Sequence, residues 1–293
     1  MVNNLKIYLR NLIFFVLYFS GIPFLIREFF QKNKITILTF HHIPKDSCEK
    51  IFKYLLAKYN VIPLKNYVDY IKDSDEKKHS IPPKALIITI DDGLKENYDI
   101  YDTIKKYDIP VTIFLTTGVI GSYKGFWWNH NKTSLSTEDL KKISDKKRIK
   151  TLESNGFFEN DPVTSRESLS LNEIKIMSQT VDFQSHSVTH PILPKCDIEK
   201  VKYEITESMK FLKSTFKFDV YAFAYPNGNY SLREEEIIKS TGYDCALTTD
   251  HGFNTLNSDL FRLKRISGGI GHSIIETAVK SSSLWERISF FFR

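Results

Sequence analysis

LIITIDDGLK, residues 86–95, is a run of branched apolar residues that stops abruptly at two adjacent carboxylates, Asp91 and Asp92, followed by Gly93. A short continuous apolar run of this kind fits a strand buried on both faces, as in a parallel sheet covered by helices. In barrels of such strands the chemistry gathers at the C-terminal strand ends. Two like charges in a dry place repel, and one is driven toward protonation unless something balances them. Either one Asp caps a following helix while the other sits in water, or the pair belongs to a site.

The same grammar recurs outward from this segment. ITILTFHHI (35–43), VIPL (61–64), VTIFL (111–115), VDFQSH (181–186), VYAFAY (220–225), DCALTT (244–249) and FRLKRI (261–266) read as further strands. Between them, CEKIFKYLLAKY (48–59) carries Ile51, Leu55 and Tyr59 at helical spacing, and residues 65–72, 94–107 and 197–214 also read as helices. Asp197 opens the last of these; SLNE at 170 and SLRE at 231 read as capping boxes, and Gly242 suits a helix C-terminus. Strands alternating with helices predict an α/β fold with a mainly parallel sheet of seven or eight strands, closed or nearly closed into a (β/α) barrel. Residues 34–293 form this domain, and the polar, lysine-rich stretch at about 121–168 reads as an insertion with some local helix. Within it Trp127 and Trp128 either pack the insertion onto the barrel, stack on the flat face of a ligand such as a sugar ring, or sit at a membrane surface.

Composition narrows the function classes. The formal charge of +6 comes from lysines spread along the chain, without the dense basic block of a nucleic-acid footprint. Cys48, Cys196 and Cys245 match no zinc spacing and no disulfide framework, so they read as ordinary reduced thiols. Residues 1–33 are different. NLIFFVLYFSGIPFLI (11–26) is strongly apolar, flanked by Lys6, Arg10 and Arg27 and interrupted by Ser20, Gly21 and Pro23. As a helix it would reach roughly 24 Å, short of a ~30 Å hydrocarbon span. No small-x-small cleavage site follows Phe19, and basic residues at both ends choose no orientation. The expectation is an uncleaved, kinked membrane-associating segment that brings residues 5–30 to a membrane surface, with the side of the membrane open. The C-terminal SLWERISFFFR either lies at the same interface or packs on the domain as a helix.

Several polar residues fall at the predicted strand ends: His41 and His42 after ILTF, His186 after VDFQS, His190 four residues later, and YPNG after VYAFA. HSVTH (186–190) presents two imidazoles on one face if it makes a helical turn. Two histidines and one carboxylate, with open positions for water, form a catalytic metal pattern. One of the two Asp residues can then ligate a divalent cation, and the other stays ionised to take a proton from water.

TIDDG (89–93) and HSVTH (186–190) resemble the first two signature motifs of the polysaccharide deacetylases, also called the NodB-homology family or carbohydrate esterase family four. FAYPNG (223–228) resembles a variant of that family's third motif, and TFHH resembles an opening seen in many members. The similarity covers roughly residues 35–270. It implies a distorted (β/α) barrel, a divalent metal, usually zinc, and hydrolysis of an N-acetyl group on an aminosugar. Carried over by position, Asp92, His186 and His190 are the metal ligands and Asp91 is the general base. Tyr225, Pro226 and Asn227 form the substrate and oxyanion segment, with a backbone N–H near Asn227 facing the oxyanion. Ser187 and Thr189 support the ligands rather than bind the metal.

Two positions depart from the family pattern. Ala224 stands where the third motif usually carries an Arg that pairs with the base, and RLKRIS lacks the usual general-acid His. His41 is the replacement acid expected here, with His251 and His272 behind it; Arg265, from a neighbouring strand, could make good the missing Arg. Three readings follow. The first is a membrane-associated, metal-dependent deacetylase acting on a cell-envelope polysaccharide or lipid-linked sugar of a bacterial-type envelope. The second changes the acyl group, to deformylation of a lipid-linked aminosugar. The third is a degenerate barrel that binds glycan without turnover. The sequence leaves the oligomeric state open.

Overall fold

A computed structural model describes residues 2–73, 81–269 and 273–288. The chain runs α1 (Val2–Phe19), α2 (Ile22–Leu25), a single π-helical stretch Ile26–Phe30, β1 (Ile35–Phe40), α3 (Lys45–Lys58), β2 (Asn60–Val61) and α4 (Leu64–Lys72). It continues with β3 (Ala85–Ile90), α5 (Tyr101–Lys106), β4 (Val111–Leu115), α6 (Thr137–Lys142), α7 (Asp145–Glu153), α8 (Leu171–Met177) and β5 (Val181–Ser185). Last come α9 (Ile198–Phe216), β6 (Ala222–Ala224), α10 (Leu232–Thr241), β7 (Cys245–His251), β8 (Leu263–Ser267), α11 (Ile274–Ser281) and α12 (Leu284–Ile288).

All strand pairs are parallel, in the order β1-β8-β7-β6-β5-β4-β3-β2, and β1 also pairs with β3 along its whole length. Seven strands therefore close into a barrel, and β2 is an extra strand on the N-terminal half of β3. Burial on both faces explains the unbroken apolar runs. Leu86, Ile88 and Ile90 face the surrounding helices, meeting Ile51 and Leu55 of α3, while Ala85 and Ile87 face the barrel interior with Ile37, Phe114 and Leu247. The period of two then aims Thr89 and Asp91 inward as well.

Several elements are shorter or built differently than the sequence suggests. VIPL is a strand only at its start, because Pro63 turns the chain and Leu64 already begins α4. VYAFAY narrows to Ala222–Ala224. Residues 94–107 open as a 3-10 helix, Lys95–Ile100, before α5. The Ser170 capping box forms as expected, and Gly242 ends α10 in the left-handed region. The box at Ser231 does not form: its hydroxyl bonds the Glu234 side chain instead of a backbone N–H.

The insertion folds onto the barrel. It has its own small core of Trp127, Leu140, Leu152 and Phe157, and buried Arg148 lies over the Trp127 ring. At the N-terminus no single described helix is long and apolar enough to cross a membrane; α1 and the following segment form a pair bent by 57°. Phe14 anchors α1 against Val279, Leu284 and Trp285, so the described part of the C-terminal segment packs on the N-terminal helix. Its tail, 289–293, lies outside the described residues. The three cysteines are buried and free.

Candidate active site

The opening carboxylates are placed by two opposite backbone choices. Asp91 stays in the sheet: its N–H donates to the Phe40 carbonyl at 2.9 Å, so its side chain keeps the inward register of Thr89. Asp92 leaves it, with φ of 72°. That left-handed turn, uncommon for a residue with a Cβ, brings the second carboxylate to the same end of the barrel. Neither Asp caps the next helix, whose N-cap is Leu94.

HSVTH forms a bend rather than the helical turn its spacing suggests, with Ser187 and His190 both in the left-handed region, at φ of 66° and 55°. The imidazoles still converge, their ring centroids 4.7 Å apart. Each Nε2 stands 3.5 Å from Asp92 Oδ1, and all three side chains are buried. His186 Nδ1 lies 2.8 Å from the Ala224 carbonyl; with the proton there, donating, Nε2 keeps its lone pair toward Asp92. Burial pushes the His190 pKa well down, with His186 adding to it, so the ring is neutral. Burial pushes the Asp92 carboxyl up against the pull of His41 and His186.

This donor set fits a metal. Asp92 Oδ1 is buried with no hydrogen-bond partner among the described residues, a costly state for an acceptor. Two ligands about 2.0–2.1 Å from one tetrahedral ion stand roughly 3.3 Å apart, close to the separations found. Neutral imidazoles and a carboxylate are the forms an ion binds.

Asp91 is held differently. Arg265, on β8 and 1% exposed in its side chain, grips it with two parallel bonds, Nη1 to Oδ1 at 2.7 Å and Nη2 to Oδ2 at 2.8 Å. Arg265 is fixed in turn: Nε donates to the Thr248 carbonyl at 2.8 Å and Nη1 to Thr39 Oγ1 at 3.1 Å. Burial alone would raise the Asp91 pKa, but Arg265, helped by His186 and His41, outweighs it and keeps the carboxyl below its ordinary range. The Arg absent from position 224 on β6 is thus replaced, in contact terms, from β8, two strands further round the barrel.

A cavity of about 260 Å³ opens above these groups, lined by His41, Asp91, Asp92, His186 and His190 with Asn227, Gly228 and Thr249 on one side. The insertion supplies the other wall through Trp127, Trp128, Thr137 and Lys141. Both tryptophans reach this wall, and they are held differently. Trp127 is buried and donates its Nε1–H to the His190 carbonyl at 3.1 Å, while Trp128 packs edge-on against the His190 ring at 4.6 Å and faces the cavity.

Of the FAYPNG segment, only Asn227 and Gly228 line the cavity. Tyr225 is buried in the outer core, its N–H donates to the Leu247 carbonyl and its hydroxyl to the Phe261 carbonyl, and Pro226 is buried beside it. The Asn227 N–H makes no hydrogen bond among the described residues, and with φ of 55° the residue forms a turn at the cavity edge. His251 is not part of this wall; its Nε2 lies 2.6 Å from Ser283 Oγ. His272 lies outside the described residues.

The fold agrees with that of known proteins. A poly-beta-1,6-N-acetyl-D-glucosamine N-deacetylase of Staphylococcus aureus (strain NCTC 8325 / PS 47) is 24% identical over 261 residues, covering 81% of this chain and 79% of that one. The structure of Streptococcus pyogenes deacetylase PplD in complex with acetate superimposes with a TM-score of 0.62 at 21% identity, over 86% of this chain and 99% of that one. IcaB from Ammonifex degensii gives 0.60 at 17% identity, over 86% and 98%. At these identities the structural likeness is one of fold. The sequence model described as polysaccharide deacetylase matches residues 78–246, from before the Asp91–Asp92 strand to within β7. More than half of the chain thus carries that signature, with both motifs meeting at one barrel mouth, and the chain belongs to the polysaccharide deacetylase family.

Proposed function

We propose that the protein is a metal-dependent hydrolase that removes the N-acetyl group from an aminosugar of an envelope polysaccharide or a lipid-linked glycan precursor. The observation that carries this reading is the pairing of three buried, converging donors with a separate carboxylate kept ionised by Arg265. Asp92, His186 and His190 would hold a divalent ion, zinc by the donor types. That ion would supply Lewis-acid polarisation of the acyl carbonyl and a water of lowered pKa. Asp91 accepts the proton of the attacking water, and the Asn227 N–H donates to the developing oxyanion. His41, exposed on the cavity wall, donates a proton to the leaving amine. A non-catalytic barrel loses one of its two supports once Arg265 is seen to partner Asp91.

The test is acyl release from N-acetylglucosamine oligomers and from lipid-linked N-acetyl and N-formyl aminosugars, with zinc present. Acetate release supports the proposal; formate alone would move it to the deformylase reading, and neither acid to the binding barrel. His41→Ala should lower kcat about 10²-fold or more and remove the alkaline limb of its pH profile. An unchanged alkaline limb would place the acid elsewhere.

The N-terminal segment supports a membrane-surface partner. Among the described residues, eleven of the twenty exposed large apolar side chains lie between Tyr8 and Phe30, including Phe15, Phe19, Phe24, Phe29 and Phe30. Phe14 on the opposite face is packed on α11 and α12. Such a one-sided apolar patch fits the interface of a bilayer. Phe19→Glu with Phe29→Glu should cut co-sedimentation with anionic vesicles by at least about ten-fold, from burial worth ~1.5–3 kcal/mol per side chain. Hydrolysis of a soluble oligosaccharide should stay the same. Vesicle binding that survives both changes would rule this face out.

A further inference from the structure

Residues 187–189 belong to no helix or strand, yet they set the distance between His186 and His190. We propose that Glu204, on α9, is the positioning residue that locks this segment and thereby pre-forms the metal-binding pair. The inference rests on reading Asp92, His186 and His190 as the ligand set; Glu204 bonds Lys200 and the segment between the two histidines, not the ligand side chains.

Glu204 is fully buried. Its Oε2 accepts two backbone N–H groups, from Val188 and Thr189, each at 2.8 Å. Its Oε1 accepts the Thr189 hydroxyl at 2.6 Å and pairs with Lys200 Nζ at 3.0 Å. The rest of the segment is held from the other side. The His190 N–H donates to Ser187 Oγ at 3.1 Å, the Thr117 N–H to the Ser187 carbonyl at 3.0 Å, and the Gly118 N–H to the Val188 carbonyl at 2.8 Å.

The need for a clamp follows from the backbone. Ser187 and His190 both sit in the left-handed region, at φ of 66° and 55°. Residues with a Cβ stay there only where the surroundings over-determine them. Two N–H groups on one carboxylate oxygen supply that determination, and charge-assisted bonds are the stronger kind. Burying a carboxylate is costly without partners; four donors, one of them a lysine, offset the cost here. Elsewhere α9 buries Val201, Ile205, Met209 and Leu212, so a carboxylate on this face has no packing role that an apolar residue would not fill better.

The experiment is a zinc titration of the metal-free full-length protein against a chelating indicator, with cobalt absorption as a second readout of ligand geometry. Glu204→Ala should weaken zinc binding about 10- to 100-fold and alter the cobalt spectrum. Glu204→Gln still offers one oxygen to both N–H groups and should stay within about five-fold of the unmodified protein. A residue that only supports the fold would lower the melting temperature of Glu204→Ala and leave the zinc affinity of the folded protein unchanged; that result overturns the proposal. If Glu204→Ala does not fold, Glu204→Asp decides. It keeps the charge but is one methylene too short to span the segment, and on the order of ten-fold weaker zinc binding is expected; unchanged affinity overturns the clamp. An unmodified protein that binds no zinc refutes the ligand set and the clamp together. Zinc binding by the unmodified protein with no loss in the deciding variant refutes the clamp alone.

Discussion

Asp91→Asn is expected to lose acyl release by about 10²–10⁴-fold while still taking up one equivalent of zinc. The amide cannot accept a proton from water, and it sits outside the set of Asp92, His186 and His190. His186→Ala, by contrast, should lose both metal and turnover, because it removes a donor 3.5 Å from Asp92 Oδ1. The amide also leaves the Arg265 guanidinium buried opposite a neutral group. Breaking a buried pair from one side costs roughly 3–5 kcal/mol, so Asp91→Asn should melt at a lower temperature as well. Metal uptake separates the two effects: a folded variant that holds zinc and does not turn over has lost the base, not the site. Full turnover by Asp91→Asn would remove Asp91 from the role of base.

The barrel was legible because its strands are buried on both faces. An unbroken apolar run such as ALIITI needs no tertiary information to be read as a strand, and its period of two sends Thr89 and Asp91 to the same side. Strand ends were less clear. Pro63 and the buried Tyr225 still lie in extended stretches, so VIPL and VYAFAY read longer than the ladder that forms. The meeting of Asp92 with His186 and His190 followed from motif order and strand position, whereas the backbone that achieves it did not. Left-handed residues usually announce themselves as glycine, and here they are Asp92, Ser187, His190 and Asn227.

Partners supplied by barrel closure had the least support in the sequence, where Arg265 was only one way to make good the missing Arg. Arg265 and Asp91 are 174 positions apart and meet only because β1 joins β3 on one edge and β8 on the other. A signal existed: Leu263 and Arg265 share one face of β8, and an Arg on a buried strand face calls for a carboxylate. Glu204 left a weaker trace, a charge on the apolar face of α9 beside Val201 and Ile205. Nothing local separates that from a residue snorkelling to solvent. Likewise the Trp127–Trp128 pair offered two aromatic rings, but only the folded insertion shows that both reach the cavity wall while Trp127 also anchors the insertion's small core.

Arg265→Ala should destabilise the protein by about 3–5 kcal/mol at neutral pH, more than the loss of an exposed pair would. The reason is the carboxylate left behind. With Arg265 present, Asp91 has a folded pKa below its unfolded value. Its ionisation then contributes stability that is present above the unfolded pKa and lost only as pH falls through the folded one. Burial is already the largest single influence on Asp91, and with both Arg265 contributions removed it is expected to outweigh the pull of His186 and His41 and raise the folded pKa above the unfolded value. The sign reverses: the variant is penalised for ionising Asp91 at neutral pH, and the penalty fades as pH falls below the unfolded pKa of about 4. Denaturant unfolding of the metal-free protein should therefore show the two forms farthest apart near pH 7 and closer together near pH 4. In the zinc-loaded enzyme the same change should move the acid limb of kcat/KM to higher pH, because the base is harder to ionise. Lysine at 265 restores charge but not the two-pronged grip at 2.7 and 2.8 Å, so Arg265→Lys should recover part of the stability and less of the pH profile. A stability gap that is constant from pH 4 to pH 7 would mean that Arg265 acts through packing, with its charge irrelevant to Asp91.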